Sequence, residues 1–92
     1  MIVRVLGEGQ YKLDADAFAV ADRIDDRVQA AADAGDEAAF ATALTELVDT
    51  IIERGAPLPA ADLHPSDAIV PGHGTTLAEA RELLSSEGLI PS

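Results

Sequence analysis

The sequence predicts an α+β fold. A β-hairpin at the N-terminus packs on an antiparallel helical hairpin, and a Pro-rich loop and a short C-terminal helix follow. Three observations predict it. Residues Asp14 to Gly55 carry apolar side chains at helical spacing in two runs, parted by Gly35-Asp36. Residues Met1 to Leu13 are largely β-branched and aliphatic around Gly7-Glu8-Gly9. Pro57, Pro59, Pro65 and Pro71 interrupt the stretch from Ala56 to Gly74, which therefore cannot be helical throughout. A chain of 92 residues has room for one domain, spanning 1–92.

In the hairpin, Ile2 to Leu6 suits a strand, and the two glycines supply the permissive backbone of a tight turn. Gln10 to Leu13 alternates, with Tyr11 and Leu13 on one face and Gln10 and Lys12 on the other. A lone two-stranded hairpin is marginal in water, so it must pack on the helices.

Asp14 or Asp16 caps the first helix. At 100° per residue Ala17, Ala21, Ile24, Val28 and Ala31 form one stripe, flanked by Val20 and Ala32. The stripe is thin and Ala-rich, so a neighbour can approach closely. The opposite side is expected to carry Asp22, Asp25, Asp26 and Asp33, either as a solvated face or as a docking surface for a basic partner. Gly35 ends this helix and Asp36 caps the next, and so short a link turns the second helix back antiparallel. The second helix, Glu37 to Arg54, has Phe40, Leu44, Leu47 and Ile51 at helical spacing, widened by Ala43, Val48 and Ile52. That arc covers about half the circumference, where a one-sided helix needs about 100°. Either the helix touches two elements of its own fold, or Val48 and Ile52 are left for a partner.

In the Pro-rich loop, Ala68-Ile69-Val70 has the composition of a short third strand added to the hairpin's edge. Thr76-Leu77-Ala78-Glu79 is a capping box opening a short helix with Leu77, Ala80, Leu83 and Leu84 inward. Gly88 stops it, and Leu89-Ile90 follows as an apolar clasp.

The charge excludes several functions. Ten Asp and seven Glu stand against one Lys and five Arg, a formal net charge of −11. Such a chain is repelled by nucleic acids and by anionic membranes. It suits a cationic partner, or life in high salt. No Trp and one Tyr leave no stacking platform for single strands. No cysteine means no disulfide and no thiol chemistry. No apolar run approaches the roughly 20 residues of a membrane span. The start lacks a basic region followed by an apolar core, so a cytoplasmic location is expected.

No serine or threonine sits in a nucleophile elbow or phosphate-binding loop. No carboxylate pair is placed in an apolar pocket, so no enzyme, cofactor or catalytic residue is expected. The competing readings are a small metal-dependent enzyme or sensor using Asp62, His64, Asp67 and His73, and an acidic nucleic-acid mimic or antitoxin-like inhibitor. The spacing of the four matches no helical metal motif, so no metal ligand is assigned. A small core and a wide apolar arc are compatible with a homodimer.

MIVRVLGEGQYKL resembles the opening of the small phage-shock-protein-A-associated family, PspAA. DLHPSDAIVPGHGTTLAEARELLSSEGLIPS is similar to that family's Pro-Ser-Asp, capped helix and Glu-Gly-Leu-Ile-Pro finish, and AGDEAAF falls where the family places its helical turn. Gly72-His73-Gly74 departs from the pattern. The resemblance covers the whole chain. It implies an accessory or adaptor of the envelope-stress response, with a PspA-like coiled-coil protein as partner, reached without membrane insertion. Through that partner the chain would sit at the inner face of the membrane. For such a role the partner-binding candidates are Val48, Ile52, Asp22, Asp25, Asp26 and Asp33.

Overall fold

A computed structural model describes residues 1–59 and 65–82. The strands β1 (Ile2–Val5) and β2 (Gly9–Lys12) pair antiparallel, with Val5 opposite Gly9 and Ile2 opposite Lys12. Gly7, at φ +84°, is the third residue of the turn that Glu8 N–H closes onto Val5 O at 3.0 Å. A type II turn needs positive φ there. Helices α1 (Ala15–Ala34) and α2 (Glu37–Arg54) follow. Strand β3 (Ala56–Pro57) pairs with β2, strand β4 (Ala68–Val70) runs parallel to β1, and α3 (Leu77–Ala80) comes last among the described residues. The sheet order is β3-β2-β1-β4.

The helix ends follow local chemistry. The Asp14 carboxylate accepts from Ala17 N–H at 2.8 Å, and that of Asp36 accepts from Ala39 N–H at 3.0 Å. Between them Gly35 takes the left-handed conformation, φ +68°, and its N–H and that of Asp36 reach back to Ala32 O and Ala31 O. A two-residue link thus reverses the chain and satisfies the last carbonyls of α1. Gly55 ends α2 differently. Its φ is −80°, so handedness does not select it. A Cβ there would lie 2.5 Å from Ile51 O and 2.9 Å from the Tyr11 Cβ, so glycine is required by the close passage of α2 against β2.

The core is one cluster. Val3, Val5 and Val70 of the sheet, and Leu13 just after β2, meet Ala17, Ala21, Ile24, Val28 and Ala31 of α1 and Phe40, Leu44, Leu47, Val48 and Ile51 of α2, with Leu77 and Ala80 of α3 closing it. The expected stripe of α1 and arc of α2 are therefore the buried surfaces. The α2 arc is wide because the helix packs on α1 along one side and touches α3 as well.

Three sequence expectations change. Ala56–Pro57 forms a strand where a loop was expected, because the end of α2 delivers the chain to the edge of β2. Asp25 is 2% exposed rather than on a solvent face. It lies about 80° round the helix from Ala17, at the rim of the buried stripe beside Ala21 and Ala32. Val48, at 0%, is core, since α2 uses that part of its arc within the fold. The inward placement expected of Leu83 and Leu84, the Gly88 stop and the Leu89-Ile90 clasp lie outside the described residues.

Candidate interaction surfaces

The helical hairpin presents its acids outward. Asp26 and Asp33 of α1 are exposed and Asp22 is half-buried. Asp36, Glu37, Glu46, Asp49 and Glu53 are exposed on the partner helix or at its start. Cations offset them sparsely. Arg27 of α1 pairs with Glu46 of α2 at 2.6 Å, an exposed bridge across the two helices. Asp33 accepts from the Gln29 side-chain amide at 2.8 Å, which holds its carboxylate against the helix. The exposed Arg27–Glu46 pair adds about 0–1 kcal/mol to stability. Its consequence here is that Glu46 is offset, whereas Asp26, Glu37 and Glu53 form no ion pair among the described residues. Of the six partner-binding candidates, Asp22, Asp26 and Asp33 thus reach the surface. Ile52 is half-buried at its margin, while Val48 and Asp25 do not reach it. Asp25 is nonetheless engaged by a polar interaction.

Of the loop residues weighed as metal ligands, the described pair, Asp67 and His73, are engaged elsewhere. Asp62 and His64 lie outside the described residues. The Asp67 carboxylate accepts from Ile2 N–H at 2.8 Å, tying β4 to the start of β1. His73 sits between two carboxylates, with Nε2 2.8 Å from Asp49 Oδ1 and Nδ1 4.0 Å from Glu8 Oε1. Those acids flank opposite ring nitrogens, so they cannot converge with the imidazole on one ion. Among the described residues no three acidic or histidine side chains are placed to hold a metal. The Glu8–His73–Asp49 bracket joins the β1–β2 turn, the loop after β4 and α2. Sequence reading missed it because residues so far apart leave no local spacing signal.

The surface hollows are open and ordinary. One of about 330 Å³ is lined by Met1, Leu13, Asp14, Ala15 and Phe18. Another, about 380 Å³, lies over Arg27 and the Ala-rich start of α2. Neither sets a nucleophile beside a base. Glu79 is an acid that its surroundings shift. The Thr76 backbone N–H and then the Thr76 hydroxyl donate to it and hold its carboxyl below the ordinary glutamate value. That is helix-capping chemistry, at 3.1 Å and 3.0 Å.

What these features define is a small acidic α+β module that presents charged surface. Over residues 1–92, its full length, the sequence matches the family model described as PspA-associated protein, and the chain belongs to that family. No curated protein and no solved structure matches it. Membership links the chain to PspA. Among the described residues no helix is long and apolar enough to cross a membrane.

Proposed function

We propose that the chain is a non-enzymatic accessory module of the phage-shock response, docking through the acidic exterior of its helical hairpin on a basic stretch of the PspA coiled coil. The carrying observation is the distribution of charge. A formal net charge of −11 leaves the exposed acids of α1 and α2 in excess over the cations beside them. Family membership supplies the partner. A coiled-coil helix with lysines and arginines along one flank is complementary to Asp22, Asp26 and Asp33, with Ile52 as an apolar contact at the margin. Acidic repulsion would keep the module off anionic lipid while it holds a partner at the cytoplasmic face of the membrane.

Titration of fluorescently labelled chain with purified PspA tests this. Binding is expected to weaken steeply as KCl rises from about 0.1 M to about 1 M. Asp22→Asn, Asp26→Asn and Asp33→Asn together are expected to weaken it by roughly tenfold or more at the lower salt. Affinity indifferent to both salt and the triple substitution would overturn the reading.

A further inference from the structure

The two edges of the sheet are built differently. Strand β3 is two residues long and contains Pro57, which lacks the N–H another strand would need. Strand β4, at the opposite edge, is Ala-Ile-Val with no proline inside it. Its inner side is committed to β1: Leu6 N–H donates to Val70 O at 2.9 Å. Successive residues of a strand direct their polar groups to opposite sides, so Ile69 turns its N–H and C=O away from β1, to a side where no described strand lies. The Ile69 side chain is on the outer sheet face beside Arg4, its register partner. It is 43% exposed, and Leu6, next to it on the same face, is 44% exposed. They are the two large hydrophobic residues the described surface leaves out in the open. Among the described residues, an apolar pair thus adjoins a short edge that no strand pairs.

We propose that β4 pairs antiparallel with β4 of a second copy about a two-fold axis at Ile69, joining the two four-stranded sheets into one. The geometry is self-complementary. With Ile69 opposite its counterpart, each N–H meets the other's C=O, and the two isoleucines become cross-strand neighbours with Leu6 alongside. The charge pattern favours the same place. Each copy is strongly acidic, and Ala68 to Val70 is uncharged. The acid just before the strand, Asp67, already accepts with its carboxylate from Ile2 N–H. Two repelling chains approach most cheaply where neither carries charge, so this dimer tightens with salt. The proposed docking on PspA loosens with salt, which separates failure of one from failure of the other.

Sedimentation equilibrium of the full chain from about 10 µM to about 200 µM, in about 0.1 M and about 1 M KCl, reads the outcome. The mass is expected to rise from 9.5 kDa towards twice that value, at lower concentration in the higher salt. Ile69→Lys, which sets like charges opposite each other, is expected to raise the dimer dissociation constant by about tenfold or more. Leu6→Ser weakens it less. Hydrogen exchange at the Ile69 amide in the unaltered chain is expected to slow as concentration rises, a readout independent of any variant's folding. A monomer throughout the range overturns the proposal, as does a dimer that Ile69→Lys leaves intact or an Ile69 amide indifferent to concentration.

Discussion

The two helices of the hairpin have nearly equal length and opposite economies. Helix α1 buries Ala17, Ala21, Ala31 and Ala32, with Ile24 and Val28 as its larger side chains. Helix α2 buries Phe40, Leu44, Leu47, Val48 and Ile51. The first works by absence of bulk: small side chains let its backbone approach its neighbours. The second works by filling, and supplies more bulk to the core than α1 does. This is why a helix whose apolar arc spans half its circumference still leaves so little of it exposed. Outside these buried stripes both helices turn acids to water, Asp26 and Asp33 on α1 and Glu37, Glu46, Asp49 and Glu53 on α2.

The contrast is broken most directly by reversing the two strategies. Leu47→Ala in α2 opens a cavity in a side chain at 0% exposure and is expected to cost about 2–5 kcal/mol. Ala21→Leu in α1 adds bulk at another wholly buried position, and overpacking is expected to cost about 1–3 kcal/mol. Urea unfolding measures both. The telling comparison is Ala21→Leu against Leu47→Met. If enlarging α1 is harmless while the conservative change in α2 is not, close approach is not what α1 contributes. A domain of this size has on the order of 5–14 kcal/mol to lose, so either of the first two changes is a large fraction of it.

A smaller effect belongs to the link that both helices share. Gly35 sits at φ +68°, and a Cβ there meets open space, so only the backbone conformation opposes substitution. Gly35→Ala is expected to cost about 1–2 kcal/mol. Because the turn fixes the antiparallel pairing, thermal unfolding should move for both helices together. Hydrogen exchange showing loss in α1 alone would mean that the helices are held by the sheet and not by each other.

Much of this arrangement was legible in the sequence, for a physical reason. Asp14, Gly35, Asp36 and the Thr76–Glu79 box act on amides and carbonyls within a few residues, so their chemistry is visible locally. Ala68–Val70 was legible from its composition, and its parallel pairing agrees with an added edge strand. Ala56–Pro57 was not, because a two-residue strand containing proline has no alternation to read; only the end point of α2 creates it. Asp25 was misplaced because a residue at the rim of a stripe is solvated or covered according to what the rest of the fold lays over it. Val48 raises the same difficulty in reverse. Periodicity shows that its face is apolar and is silent on whether the covering surface is the chain's own. The acidic exterior was partly legible for that reason: Asp22, Asp26 and Asp33 reach the surface, and their companions on α2 are known as neighbours only once the helices are paired. The His73 bracket with Glu8 and Asp49 depends wholly on tertiary placement.

The smallest effect tests where α2 ends its own packing. Helix α3 touches α2 through a single turn, Leu77–Ala80, held at its start by Thr76 and Glu79. The folded Glu79 carboxyl titrates below its unfolded value, because the Thr76 N–H and then the hydroxyl stabilise the carboxylate. Its contribution is therefore complete above the ordinary glutamate range and is lost as pH falls through the lowered value. Carboxyl-carbon NMR of Glu79 should show a midpoint below that of an unfolded peptide. Thr76→Ala should return it only part of the way, since the larger cause, the backbone N–H, survives the substitution. As Glu79 protonates, amide exchange should quicken in α3 while α1 stays unchanged, because the capping bond is confined to the first turn of α3. A midpoint at the ordinary value, or exchange that quickens equally in α1 and α3, would mean that the capping box does not set the stability of this contact, and that α3 rests on the apolar packing of Leu77 and Ala80 alone.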